Sequence, residues 1–252
     1  MIESSIIVIP ARLASTRLPR KVLADIAGRP MLQHVWEAAC AAGAQRVLIA
    51  TDDVQIQSVA QAFGAECLLT AADHMSGSDR IAEVVEQLEL DDAQLLINLQ
   101  GDEPEMPALC LQQVAELLAS DPQATVATLY WPISDAAELY DPSVVKVVTD
   151  QQSRALYFSR SLIPHPRGAA DGPSALAEGT VFKRHLGLYA YRASALRAFT
   201  AASPDPLELC EGLEQLRFLG LGQTIAMAQA AHPIPAGIDT AADLERVRKS
   251  LE

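Results

Sequence analysis

Four basic side chains crowd the segment Pro10-Ala11-Arg12-Leu13-Ala14-Ser15-Thr16-Arg17-Leu18-Pro19-Arg20-Lys21, and residues 10–24 contain no Asp or Glu. The whole chain has 19 Lys and Arg in 252 residues and a net charge of −13, so this is a local reversal of sign. A positive loop on an acidic chain suits a small polyanion, although a solvated basic loop has the same composition. Arg12 and Lys21 can neutralise a triphosphate, one as a bidentate guanidinium and the other as a point charge. A second segment, Asn98-Leu99-Gln100-Gly101-Asp102-Glu103-Pro104, offers the opposite charge. Asp102 is the first candidate for magnesium, which takes one or two protein carboxylates and fills its octahedron with phosphate oxygens and water. A Gly-Asp pair also makes an ordinary turn. Asp239, in Gly237-Ile238-Asp239-Thr240, is the second candidate, and its spacing equally fits the N-cap of the last helix. A cation cluster with a metal carboxylate is the minimum equipment for chemistry on a nucleoside triphosphate.

Two further groups of polar residues are placed for recognition. The periodicity predicts one amphipathic helix over 206–219, with Glu211, Glu214 and Gln215 on one face and Leu209, Leu213 and Leu216 on the other. That acidic stripe is also what a solvated face looks like. Gly212 falls inside the helix, where it costs about 1 kcal/mol relative to Ala. His185 and Tyr189, four apart on a strand, share a face and can present hydrogen-bonding groups to a sugar or form a half-buried pair. The chain has no GxxxxGK[ST] loop, no dinucleotide fingerprint around Gly220 and Gly222, and no GxSxG elbow. Its histidines lack metal-ligand spacing. P-loop kinases, Rossmann dehydrogenases, α/β-hydrolases and zinc enzymes are therefore not first choices.

The elements that must hold these groups alternate in type. The apolar run Ile6-Ile7-Val8-Ile9 ends at the basic loop, and Leu95-Leu96-Ile97 ends at the acidic one. Strands are expected at 5–9, 46–50, 65–69 and 95–99. Helices are expected from Pro30, as first helical residue, to Gly43, from Asp52 or Asp53 to Phe63, from Ser76 or Ser78 to Leu88, and over 107–119. This order predicts an α/β fold: a mostly parallel central sheet with helices on both faces, Rossmann-like in outline, with ligands at the carboxyl ends of the strands. Later strands are expected at 125–131, 144–149, 155–159, 185–191 and 224–229, and helices at 193–202 and 241–250. Residues 160–180 read as a mobile loop. The second half is expected to add a smaller antiparallel layer over the cleft. Half the residues are apolar and aromatics are few, so the core should be mainly aliphatic. The acidic balance argues against nucleic acid or an anionic membrane as partner. Cys40, Cys67, Cys110 and Cys210 show no CxxC pair. Cys40 and Cys110 are expected as buried free thiols. With no apolar stretch of membrane-helix length and no signal-peptide pattern, a soluble cytoplasmic protein is expected.

Taken together, these segments resemble the 3-deoxy-manno-octulosonate cytidylyltransferase (CMP-Kdo synthetase) family over essentially the whole length. The resemblance rests on Pro10–Lys21, Ala50-Thr51-Asp52, Ser76-Gly77-Ser78-Asp79-Arg80, Asn98–Pro104, Tyr157-Phe158-Ser159-Arg160, His185-Leu186-Gly187-Leu188-Tyr189, Leu213-Glu214-Gln215-Leu216-Arg217 and Gly237–Thr240. It implies a nucleotide-diphospho-sugar transferase fold in one domain over 1–252, with a sugar-binding and dimerisation layer within about 130–220. It also implies a homodimer, Mg²⁺, and the conversion of CTP and 3-deoxy-manno-octulosonate (Kdo) to CMP-Kdo and pyrophosphate for lipopolysaccharide synthesis. By position, Ala11, Arg12, Lys21, Ser78 and Gln100 would contact CTP. Asp102 and Asp239 would hold the metal, and Arg12 and Lys21 would join them in catalysis. Arg17, Arg160, His185, Tyr189, Glu214 and Gln215 would line the Kdo pocket. Two positions depart from the family pattern: Arg20 stands where Gly is usual and Ser78 where Thr is usual. The competing readings are a cytidylyltransferase for 8-amino-Kdo or sialate, a metal-dependent glycosyltransferase of similar fold, and a non-catalytic nucleotide-binding module.

Overall fold

The structure, a computed structural model, describes residues 2–13 and 18–251. Strand β1 (Ile6–Ala11) shows how the core is built. Ile7 and Ile9 enter one apolar layer, and Ile6 and Val8 enter the other. This is the two-residue alternation of a strand covered on both faces. A short hairpin of β2 (Asp25–Ile26) and β3 (Arg29–Pro30) follows. Pro30 is then the extended N-cap of α1 (Met31–Ala41), one place earlier than the sequence suggests, and Gly43 lies beyond its end at φ 78°. The βα alternation continues through β4 (Arg46–Thr51), α2 (Val54–Ala62), β5 (Glu66–Leu69), α3 (Gly77–Gln87), β6 (Leu95–Asn98) and α4 (Ala108–Ser120). Of the alternative caps, Asp53 caps α2 by accepting from the amides of Gln55 and Ile56. Ser76 caps α3 in a reciprocal box with Asp79.

The second half contains β7 (Val126–Pro132), α5 (Ala137–Tyr140), β8 (Lys146–Thr149), β9 (Ala155–Ser159) and α6 (Gly172–Ala177). It continues with β10 (Lys183–Arg192), α7 (Ala193–Ala201), α8 (Pro206–Glu211), α9 (Gln215–Gly220), β11 (Ile225–Gln229) and α10 (Ala241–Leu251). Three expectations need correction. The segment 160–180 is not all loop, because Asp171 caps α6 by accepting from the Ser174 amide. Cys40 is exposed, unlike the buried Cys110. The helix expected over 206–219 is two helices. Gly212 is the left-handed C-cap of α8, with φ 63° and ψ 45°, a conformation glycine adopts without strain. Leu209 consequently points into solvent, while Leu213 and Leu216 are buried.

The main sheet runs β11-β7-β10-β6-β1-β4-β5. Along this path β10 alone runs against its neighbours β6 and β7, and the other pairings are parallel. Strand β8 pairs antiparallel with the start of β10, and β9 with β8, giving the smaller antiparallel layer. One face is covered through Val35 of α1, Ile56 of α2 and Leu111 of α4. The other is covered through Ile81 of α3, Leu196 of α7 and Phe218 of α9. Helix α10 closes over the hairpin, where Leu244 and Val247 meet Ile26 and Met31. In register, Val8 of β1 pairs with Asn98 of β6. The basic and acidic segments thus leave the carboxyl edge of the sheet side by side.

Candidate active site

Close backbone approach fixes the two strand ends against each other. A Cβ on Gly101 would lie 3.0 Å from the Pro10 carbonyl oxygen, so this position has no room for a larger residue. The Ile238 amide donates to the Asp102 carbonyl at 2.9 Å, which brings the segment 237–239 onto the same edge. The result is a three-residue cluster. Lys21 Nζ donates to Asp102 Oδ2 at 2.6 Å and to Asp239 Oδ1 at 3.0 Å. Burial alone would lower the Lys21 pKa. The hydrogen bonds and charges of Asp102 and then Asp239 outweigh it and hold the ammonium above its usual range. Asp239 is not spent on capping α10. That work falls to Thr240 and Asp243, whose side chains bond each other's backbone amides.

Beside this cluster lies a cleft of about 410 Å³. Ala11, Arg12, Ser78, Gln100, Tyr189, Glu214 and Gln215 all line it, so seven candidates from five distant segments converge there. Arg12 is exposed at the lip, and Ser78 is buried near the N-terminus of α3. Gln100 donates to Asn98 Oδ1 at 3.0 Å. Burial pushes the Glu214 carboxyl up, against the pull of hydrogen bonds from Ser78 and Ser76. Gln215 is 6% exposed, and its Nε2 has no hydrogen-bond partner among the described residues. A buried donor left unpaired costs free energy unless a ligand satisfies it.

His185 and Tyr189 do share a face, with ring centroids 5.3 Å apart. The bulge between Leu186 and Tyr189 adds two residues on β10, an even number, so the alternation survives. His185 does not line the main cleft, however. It borders a smaller cavity of about 170 Å³ with Glu103, Arg184 and Gly237. Its Nε2 lies 3.1 Å from Thr128 Oγ1, and burial lowers its pKa to about 3, leaving a neutral ring. Tyr189 is pushed well above the usual range, first by burial and then by Tyr191 and Glu214. Arg160 does not line the main cleft either. Its guanidinium donates to the carbonyls of Pro142, Glu211 and Gly212 at 2.7, 2.7 and 3.3 Å. Arg17 lies outside the described residues. Arg20 is exposed and has a left-handed backbone, φ 58° and ψ 29°, which explains in physical terms why glycine suits this position.

Several lining residues had not been singled out as ligands. His74, Met75 and Ser76 form part of the rim, and Arg80 lies at its base, 4% exposed and paired with Asp52 at 3.4 Å. Their signal was the Ser76–Arg80 stretch, which could be read as a helix start alone. Glu103, next to Asp102, carries a buried Oε2 without a partner among the described residues. Burial, then the Asp102 charge, raises its pKa to about 8.

The donor chemistry of the cluster fits magnesium. Two hard carboxylates already share one cationic group, and their side chains are 28% and 45% exposed, leaving room for phosphate oxygens and water. Among the described residues no three His, Cys, Asp or Glu side chains converge as a closed zinc site would need.

A strand-edge cleft beside a cation–carboxylate cluster defines a nucleotidyltransferase-like site, and comparison with known proteins agrees. A family model described as Cytidylyltransferase matches residues 6–225. A 3-deoxy-manno-octulosonate cytidylyltransferase of Halorhodospira halophila (strain DSM 244 / SL1) is 52% identical over 248 residues, 98% of this chain and 96% of the relative. One of the same name from Pseudomonas syringae pv. syringae (strain B728a) is 51% identical over 98% of this chain and 97% of its own. The solved structure of a CMP:2-keto-3-deoxy-manno-octonic acid synthetase complexed with CTP superposes with a TM-score of 0.88 at 43% identity, covering 98% of this chain and 97% of that one. A 4-diphosphocytidyl-2C-methyl-D-erythritol synthase, at 14% identity and a TM-score of 0.63, shares the fold alone. The chain belongs to the cytidylyltransferase family and, within it, to the 3-deoxy-manno-octulosonate cytidylyltransferases.

Proposed function

We propose that the protein transfers CMP from CTP to the anomeric hydroxyl of Kdo, giving CMP-Kdo and pyrophosphate. The hydroxyl oxygen at C2 of the sugar gives up its proton to solvent and forms a bond to the α-phosphorus, and the bond from that phosphorus to the β-phosphate bridging oxygen breaks, its electrons leaving with pyrophosphate. The observation that carries this reading is the Lys21–Asp102–Asp239 cluster set beside the Ala11–Gln100 end of the cleft. The identity to relatives that bear this activity in their names supports the choice of substrates.

Catalysis here is positioning and charge stabilisation. Arg12 and Lys21 bind and orient the triphosphate, with Ala11 at the loop that cradles it. Ser78 and Gln100 face the nucleoside. Glu214, Gln215 and Tyr189 hold sugar hydroxyls. His185 and Arg160 support these residues, and Arg17 supplies a further cation for the sugar carboxylate. Asp102 and Asp239 would hold Mg²⁺, which when bound polarises phosphate oxygens and neutralises the leaving pyrophosphate. The protein acts in the cytoplasm as a homodimer through the antiparallel layer, whose strand β9 exposes Leu156 at 59%. Sedimentation at several concentrations tests the dimer.

The decisive experiment is pyrophosphate release from CTP and Mg²⁺ with Kdo, 8-amino-Kdo or sialate as acceptor. Turnover with Kdo is expected. Turnover confined to another acid sugar reassigns the substrate, and CTP binding without turnover on any of the three overturns the reading.

A further inference from the structure

The break between α8 and α9 is held by one carboxylate that does not face the cleft. Glu211 Oε1 accepts from Ser159 Oγ at 2.6 Å and from Tyr157 Oη at 3.4 Å, and Oε2 accepts from the Arg160 amide at 3.0 Å. Arg160 reciprocates, reaching back to the Glu211 and Gly212 carbonyls. The end of β9 and the C-cap of α8 therefore clasp each other in both directions. A third element joins them. The Pro142 carbonyl accepts from Arg160, and Lys146, fully buried, donates to the carbonyls of Asp141 and Val144. Lys146 is also the register partner of Ser159. Immediately after the clasp, Gly212, Leu213, Glu214 and Gln215 line the cleft in sequence.

We propose that Glu211 is a positioning residue for the sugar side of the cleft. It fixes the Gly212 turn so that Glu214 and Gln215 meet the sugar hydroxyls, and it sets Arg160 behind that turn. The inference rests on the reading that this wall faces Kdo. Three hydrogen bonds to one ionised carboxylate are strong, and a donor misplaced by an ångström loses most of its orienting value. Among the described residues none of the hydrogen bonds of this clasp reaches the Lys21–Asp102–Asp239 cluster, so its loss should be felt by one substrate only.

The test is steady-state kinetics with each substrate varied in turn, together with thermal melting. Glu211→Ala is expected to raise the KM for Kdo about ten- to a hundredfold, with the KM for CTP held within about twofold. Glu211→Gln should shift the same constant less, because it removes the charge and leaves one acceptor oxygen where the carboxylate has two. Ser159→Ala, which removes one of three donors, should do so more weakly. These two variants carry the test if the alanine variant does not fold. In a Gln215→Ala background, Glu211→Ala should add less than it does alone, since both act through one wall. A lower melting temperature with both KM values unchanged, an equal shift in both, or full additivity with Gln215→Ala would each overturn the proposal. If the wild-type protein itself fails to turn over CTP with Kdo, the functional reading fails instead.

Discussion

The site has two walls built on different principles, the ion-pair cluster beside the cleft and the polar lining of the cleft itself. On one side, Lys21, Asp102 and Asp239 are charged, partly open to water, and matched to one another in sign. On the other, buried Gln215 sits with half-buried Tyr189, Glu214 and His185, and ionisation is suppressed in the last three. The first wall attracts charge. On the proposed reading the second selects among neutral hydroxyls, since Gln215 Nε2 has no partner of its own among the described residues. The difference teaches that capture of the phosphates and choice of the sugar are separable and should fail separately.

The largest effect should come from the charged wall. Asp102→Asn should lower turnover about a thousandfold, the scale of several kcal/mol of lost charge stabilisation, with the circular dichroism spectrum unchanged. Pyrophosphate release at limiting Mg²⁺ measures it, and near wild-type activity there would remove Asp102 as a ligand. Lys21→Ala should lower kcat/KM for CTP about ten- to a hundredfold, the cost of one charge-assisted contact, while the KM for Kdo stays put. A defect seen only with Kdo would erase the contrast between the walls. Gln215→Ala should do the reverse, raising the KM for Kdo about tenfold and sparing CTP.

Two smaller effects sharpen the same contrast through stability. His185 has a folded pKa of about 3, so between that value and the ordinary histidine range the unfolded chain binds the extra proton. Stability is therefore complete above about pH 6.5 and falls as acid is added, by at most about 1.4 kcal/mol per pH unit. Urea titrations at pH 7, 6 and 5 should show that slope in wild type and lose it in His185→Gln. Arg20→Gly removes a left-handed non-glycine backbone costing about 1–2 kcal/mol, against roughly 0.5–1 kcal/mol of added chain entropy. A gain of about 0.5–1 kcal/mol is expected in thermal melting. A loss would show that Arg20 makes a stabilising contact in the folded protein.

The charged wall was the legible one. Strands β1 and β6 announce themselves as apolar runs, and the residues where each stops are the ones that meet at the sheet edge. Asp239 was ambiguous because N-cap and ligand share one residue type, and only Thr240 and Asp243 taking over the cap separates them. The other wall was hidden. Leu209, Leu213 and Leu216 fit one continuous helix, and the single local signal against it, Gly212, also occurs inside helices. What stops it is remote: Glu211 bonded across to β9, and the buried Glu208–Arg217 pair tying α8 to α9. Periodicity sees neighbours in sequence and is blind to such contacts. The motif match places His185 and Arg160 at the pocket, and the structure sets His185 in an adjoining cavity and Arg160 against the carbonyls of Glu211 and Gly212.

One feature of the charged wall bears on how the site behaves before any substrate is present. With the Lys21 ammonium between Asp102 and Asp239, the protein carries a counter-ion of its own, and two carboxylates that would repel each other are held together by it. Such a site is a poor trap for stray cations, because a solitary ion must compete with an ammonium already in place. Phosphate oxygens change that balance by offering Lys21 another partner. On the proposed reading, exchange of partners at Lys21 would ready the carboxylates, and nucleotide and metal should be felt by this protein as one ligand.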